Sequence, residues 1–309
     1  MAATSHTGLY LTDRDLRLVE CSTDGEYKVV SQVSVSEVEF PFGSPLLHEI
    51  PYNRKLAKEF IRTLTALLRE SPIRSSRISF VIPSIAPLIA SIPVDPRLSE
   101  DDKQRYLEWE CRQLTGYDES IQLDVMSQQL YSNNESEVHL AACMPHQTSV
   151  FLKSVCSQLS LTLSVLDIDH FTVEELLARH LDEFNAATYA LVGLTDDYAT
   201  VGVYENGRYL GFKVNTVSAR EGYFAQVLRL LKGILEDHPA VSLDTVFVFG
   251  EHASSELLQS LESLLEIPVR RYEPMKGIPF LDSTLEEFAS HYSASTFDVA
   301  IAAALQGLE

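Results

Sequence analysis

LVGLTDDYATVGVYENGRYLGFKV, residues 191–214, is the stretch on which the fold turns. It reads as a strand, a tight polar turn at Thr195-Asp196-Asp197, a second strand, a turn at Glu205-Asn206-Gly207 and a third strand. Apolar and β-branched runs separated by such turn residues are the signature of a hairpin meander. A near-copy of its start, GLYLTDRDLRLVE, occupies residues 8–20 and places the same Leu-Thr-Asp at its turn.

Outward from these two turns the same order of elements recurs. Residues 8–12, 15–21 and 26–36 alternate as half-buried strands, with turns at Thr12-Asp13 and Asp24-Gly25, and a Pro- and Gly-containing loop spans about 40–52. A helix is predicted over Asn53–Glu70, where Leu56, Phe60, Leu64, Leu67 and Leu68 make an apolar stripe, and RISFVIP (Arg77–Pro83) is a strand. Strands are likewise predicted at 188–195, 198–205 and 208–216, then a helix at Arg220–Glu236 and the buried strand DTVFVFG (Asp244–Gly250). The order β-β-β-α-β thus occurs twice, at 8–83 and 188–250, which predicts two like domains with a cleft between them as the natural ligand site.

Between the repeats lies a different order. Strands at Leu88–Val94, Gln122–Leu130 and Glu137–Met144 (the last two joined by YSNNES), helices from Ser99 and over Gln147–Leu159, and a strand at Leu161–Ile168 give β-α-β-β-α-β, a ferredoxin-like insertion. Ser99 with Asp102, and Thr172 with Glu175, read as capping boxes. Trp109, the single tryptophan, is expected to face the core with Tyr106 and Leu114; the alternative is a partner-binding anchor. The expected layout is a first lobe at 1–84 and 161–186, the insertion at 85–160, a second lobe at 187–296, and a small-residue closing helix, FDVAIAAALQGL, within 297–309.

Composition narrows the function classes. The 309 residues carry 24 basic and 44 acidic side chains, a formal charge of −20, which disfavours nucleic acid and anionic lipid and favours basic partners. Hydropathy offers no run long enough to span a bilayer, and MAATSHTGLY does not read as a signal peptide, so any membrane role is expected to pass through a partner. Cys21, Cys111, Cys143 and Cys156 lack CxxC spacing and are expected as reduced thiols of a cytoplasmic protein; the nine histidines lack metal-pair spacing. Neither a Gly-x-Ser-x-Gly elbow nor a P-loop is present.

In element order and in five stretches the chain resembles the actin-like ATPase superfamily, and more narrowly the PilM-type pilus-assembly proteins, relatives of FtsA. GLYLTDRDLRLVE is similar to that family's first phosphate loop, and LEWECRQLTGYDESIQLDV (Leu107–Val125) to its Trp-Glu helix and following strand. LSLTLSVLDIDHFTVEEL (Leu159–Leu176) resembles the stretch where an Asp precedes a helix; FVFGEHASSELLQSLESLLEIPV (Phe247–Val269) resembles the adenosine loop, and FDVAIAAALQGL the closing helix. The resemblance implies a two-lobed actin-like (ribonuclease H-like) α/β ATPase fold. It places Thr12, Asp13, Asp167, Thr195, Asp196, Asp197 and Gly250 at an ATP cleft. It also implies a partner: the cytoplasmic tail of an inner-membrane type IV pilus or type II secretion protein, seated between the first lobe and the insertion.

The departures from the family pattern bear on chemistry. Tyr10 and Thr12 stand where the first loop would carry Asp and Gly; Gly193 and Thr195 stand so in the second; Glu251 and His252 follow Gly250 where paired glycines are expected. A β-branched Thr is costly in a left-handed conformation, by roughly 1–2 kcal/mol. Asp13, Asp15, Asp196 and Asp197 would repel a polyphosphate, by about 4 kcal/mol per pair of like charges at ~4 Å and an effective dielectric near 20. The favoured expectation is a scaffold that binds neither ATP nor Mg²⁺, its pocket filled by Tyr10, Glu251 or His252. The alternatives are an active Mg-ATP-binding ATPase and an FtsA-like filament former. Asp167 and Asp169, alternating before a helix, could form an acid/base or metal pair, but Asp169 is expected at the helix start, favoured by the dipole.

Overall fold

A computed structural model of the chain describes residues 4–24, 27–38, 46–132, 137–180, 187–217, 222–293 and 295–308. Gly25 of the predicted Asp24-Gly25 turn, residues 40–45 of the predicted 40–52 loop, 133–136 of YSNNES and the start of the Arg220 helix lie outside the described residues; the rest of that loop, 46–52, is helical.

The chain divides into two units, Met1–Ala86 with Gln147–His180 and Glu273–Glu309, and Pro87–His146 with Leu181–Tyr272. The first contains β1 (Ser5–Leu11), β2 (Asp15–Asp24), β3 (Tyr27–Glu37), α1 (Leu46–Glu49) and α2 (Arg54–Glu70), with a short 3₁₀ turn at Ile50–Tyr52 between the two helices. β4 (Arg77–Ile82) follows. The insertion supplies β5 (Leu88–Val94), α3 (Glu100–Thr115), β6 (Leu123–Ser132) and β7 (Glu137–Pro145). The chain then returns through α4 (His146–Gln158), β8 (Thr162–Ile168) and α5 (Asp169–His180). The second meander is β9 (Thr188–Leu194), β10 (Tyr198–Glu205) and β11 (Arg208–Thr216), followed by α6 (Gly222–Leu235), β12 (Thr245–Phe249), α7 (Ser255–Leu265) and β13 (Val269–Arg271). α8 (Ser283–Ser290) and α9 (Asp298–Leu308) complete the first unit.

The predicted repeat is present as two five-stranded sheets of identical topology, β3-β2-β1-β4-β8 and β11-β10-β9-β12-β13. In each, three meander strands are antiparallel and two further strands add in parallel. The central strands β1 and β9 are buried along nearly their whole length, as strands covered on both faces must be. In the first unit α9 lies on β1, and its small side chains Ala300, Ala302, Ala303 and Ala304 are all buried. Gly8 permits this approach: a Cβ there would meet Ala300 O at 2.0 Å. In the second unit Val192, Val201, Val203, Leu231 and Val248 belong to one buried cluster beneath α6 and α7.

The predicted order β-α-β-β-α-β is present along the chain, but only β5, β7 and β6 share a sheet, antiparallel and under α3; β8, which the expected layout gives to the first lobe, hydrogen-bonds in parallel to β4 there. α4 follows β8 into the first unit, where Phe151 packs edge-on to Phe60 at 5.6 Å and Thr148 meets His48 Nδ1 at 3.1 Å. The reason is burial: β4 has its inner edge on β1, and β8 closes the other edge. All four cysteines are free and buried. No helix among the described residues is long and apolar enough to cross a membrane.

Candidate functional site

In the first unit the turn between β1 and β2 is closed on itself. Thr12 N donates to Asp15 O at 3.0 Å. Thr12 Oγ1 accepts from Arg14 N at 3.1 Å and Asp15 N at 2.9 Å, and donates to Asp15 Oδ1 at 2.8 Å. Two amides at this turn are therefore directed onto a hydroxyl of the protein itself. Asp15 also accepts from Arg17 Nε at 2.7 Å, and the Arg17 guanidinium reaches Thr296 O at 3.1 Å and lies over the Tyr10 ring, 5.9 Å from its centroid. Asp13 is half-buried beside them.

Tyr10 directs its hydroxyl onto Asp169 Oδ2 at 3.0 Å. Asp169, 1% exposed, opens α5 and accepts at Oδ1 from Ser84 N at 3.1 Å, from the Ser84 hydroxyl and from His170 N at 2.6 Å. Tyr10 and Asp169 are 159 positions apart, so no local pattern announces the pair. The predicted capping box at Thr172 is corrected: α5 begins at Asp169, whose carboxylate suits the positive end of the helix. Thr172 instead donates to Asp167 Oδ2 at 2.8 Å. Asp167 and Asp169 therefore have separate hydrogen-bond partners. Burial raises the Asp167 carboxyl above its ordinary range, against the bonds from Ile168 N and Thr172.

Glu174, one turn further along α5, is pushed up to about 7, first by burial and then by Glu175 and Asp167. The folded state then holds a proton that the unfolded chain releases near pH 4.5, so stability falls as pH rises from about 4.5 to about 7 and is level above. Glu174→Gln is expected to stabilise the protein at pH 8 by about 1–3 kcal/mol, with the gain vanishing below the unfolded-state value. Denaturant melts of both proteins across that range measure it.

The second unit repeats the turn. Thr195 N donates to Tyr198 O at 3.1 Å, and Thr195 Oγ1 accepts from Tyr198 N at 3.2 Å. Neither turn contains a residue with positive φ. Asp197 O accepts from Val217 N at 2.8 Å, and Asp196 Oδ1 lies 2.6 Å from His252 Nε2. The His252 ring stacks on Tyr223, 4.5 Å between centroids and 19° between planes, while Tyr223 Oη donates to Thr195 O at 2.8 Å. Gly193 is packed against its neighbours: a Cβ there would lie 2.4 Å from Thr200 Oγ1 and 2.6 Å from Phe249 Cζ. Gly250 has φ +96°, and a Cβ would meet Leu194 O at 2.3 Å, so glycine is required by conformation and by space. Gly222, Tyr223, Phe224, Glu251, His252, Glu256 and their neighbours line a cavity of about 410 Å³.

Trp109 corrects the expectation of a core residue. The buried positions of α3 are Lys103, Leu107 and Cys111 at helical spacing, whereas Trp109 is 53% exposed and Leu114 55%. Its ring rests on Tyr106, 6.0 Å between centroids. Sequence reading missed Ser84, Arg17, Tyr223 and Phe249, whose roles rest on contacts between elements and carry no local signal. No three His, Cys, Asp or Glu side chains among the described residues are grouped to hold a metal.

This geometry places the chain in the class of actin-like ATPase folds. A solved PilM–PilN type IV pilus biogenesis complex is similar at a TM-score of 0.68 and 16% identity, with 98% of each chain covered. A protein of actin-like ATPase fold and unknown function from Bacteroides thetaiotaomicron is similar at a TM-score of 0.55 and 13% identity, covering 91% of this chain and 95% of its own. No protein-family model matches the chain, and no curated protein matches it in sequence.

Proposed function

We propose that the chain is a cytoplasmic actin-like scaffold that does not hold Mg-ATP and that binds the cytoplasmic tail of an inner-membrane protein of a type IV pilus or type II secretion machinery. The observation that carries the first half is the bond from Tyr10 to Asp169. A phenol stands where the resembled family carries an acid, and it occupies a carboxylate of the same region. The second turn supports the same reading, because Phe249 and Thr200 fill the space a side chain at position 193 would need. Phosphate loops work by aiming backbone N–H groups at the ligand, commonly through residues of positive φ. Here the Thr12 hydroxyl takes up two turn amides and the Thr195 hydroxyl one, and neither turn has positive φ. Under this reading the residues present do not fit a magnesium-bound triphosphate.

The partner half rests on the likeness to a complex whose second component is PilN, on the acidic charge of −20, and on Trp109. Juxtamembrane tails on the cytoplasmic side are enriched in Lys and Arg. An exposed tryptophan is the residue type that most often anchors an interface. The test is capture of membrane proteins from a bacterial membrane extract by the immobilised chain. The expected result is recovery of a membrane-anchored protein with a basic cytoplasmic tail, reduced about tenfold by Trp109→Ala. Equal recovery by the variant removes Trp109 from the interface, and recovery of no such protein overturns the reading.

A further inference from the structure

We infer that the cavity of the second unit, between the start of α6 and the loop leading into α7, is a binding site for an arginine side chain of a basic partner segment. It rests on the scaffold reading for the source of that segment and on the cavity alone for its chemistry.

The cavity measures about 410 Å³, against roughly 30 Å³ for one water in the liquid, so it admits a side-chain head group with water. Its walls pair two kinds of surface. Tyr223 and Phe224 give aromatic rings; Glu251 and Glu256 give carboxylates; among the described residues no Lys or Arg is in the lining. One wall is fixed in advance. Asp196 holds His252 at 2.6 Å, His252 stacks on Tyr223 at 4.5 Å, and the Tyr223 hydroxyl is tied to Thr195 O at 2.8 Å. A ligand therefore meets side chains already ordered, which lowers the entropy lost on binding.

Aromatic rings beside carboxylates select a planar cation. A guanidinium stacks on a ring and donates in a fork to a carboxylate, which a lysine ammonium cannot do in one geometry. Phosphate is disfavoured by the two glutamates. A metal ion lacks a three-ligand group among the described residues. The net charge of −20 favours approach of a basic segment to the site.

The test is calorimetry on the whole chain with a five-residue peptide carrying two arginines, beside the same peptide with citrulline or lysine. The expected result is saturable binding of the arginine peptide, weaker binding with lysine and none with citrulline. Glu256→Gln, on the exposed surface of α7, should weaken binding about tenfold while leaving the melting temperature unchanged. Glu262→Gln, exposed on the same helix outside the lining, should leave affinity unchanged. Equal binding by citrulline, equal affinity in Glu256→Gln, an equal loss in Glu262→Gln or failure to saturate each overturns the inference. Because the probe is a free peptide, a failed membrane capture and a failed cavity are told apart.

Discussion

Gly8→Ala is expected to unseat the C-terminal helix. The new methyl would stand 2.0 Å from Ala300 O, 2.7 Å from Ala304 N and 2.9 Å from Ala303 Cβ. Two of those atoms are backbone, so no flexible side-chain end can give way. β1 is held on both edges, by β2 and β4, so the strain falls on α9. Overpacking typically costs 1–3 kcal/mol where side chains can shift; against backbone we expect at least about 3 kcal/mol, a fall in Tm of roughly 6–12 °C. Faster amide exchange confined first to Asp298–Leu308 would locate the damage. A Tm within about 2 °C of the parent, given the size of that expectation, contradicts the close helix–strand contact.

Glu20→Ala is expected to cost about as much by a different route. Glu20 is 1% exposed, and its Oε1 accepts from Arg74 N and Ser75 N at 2.7 Å each, while Oε2 accepts from the Ser31 hydroxyl at 3.1 Å. One carboxylate thus fastens β2 and β3 to the segment that leads into β4. Truncation leaves donors without an acceptor, at roughly 1–3 kcal/mol for each buried one. The expected loss is about 3–5 kcal/mol, read as a shift in the denaturant midpoint with an unchanged slope. Glu20→Gln, which keeps acceptor oxygen but not charge, should lose less. Equal losses in the two variants would contradict the assigned role of the acceptor.

These two residues also mark what the sequence makes legible. Leu-Val-Glu at the end of the quoted first repeat places Glu20 in an alternating strand, yet its partners, Arg74 and Ser75, lie more than fifty positions away and share no periodicity with it. The repeat itself is legible because a period of two and a pair of Leu-Thr-Asp turns are local signals, and the Ser99 cap is likewise local: its Oγ accepts from Asp102 N at 3.2 Å. The alanine-rich tail reads correctly as a closely packed helix, since small side chains have few other uses in such a run. Trp109 misleads because α3 carries two apolar sets. Leu107 and Cys111, four apart, form the buried one with Tyr106 packed partly against it, and the bulkier Trp109 and Leu114 draw the eye to the other.

The strand β8 shows a second kind of limit. Its element order continues the insertion's pattern while the expected layout gives it to the first lobe, and the open edge of β4 settles which sheet it joins. At the candidate site the missing family residues are legible as departures, but what replaces them is not. Gly193 reads as a lost acid; its neighbourhood shows space taken by Phe249 and Thr200. Tyr10 reads as a lost acid too, and the structure turns its hydroxyl onto Asp169. Both replacements depend on contacts between elements remote in sequence, which no window of residues contains.

Titration calorimetry of the whole chain with Mg-ATP tests the central claim most directly, because it asks whether the chain receives a triphosphate at all. The account predicts no saturable heat up to ~1 mM nucleotide. Binding tighter than about 100 μM that disappears in Asp196→Ala would contradict it.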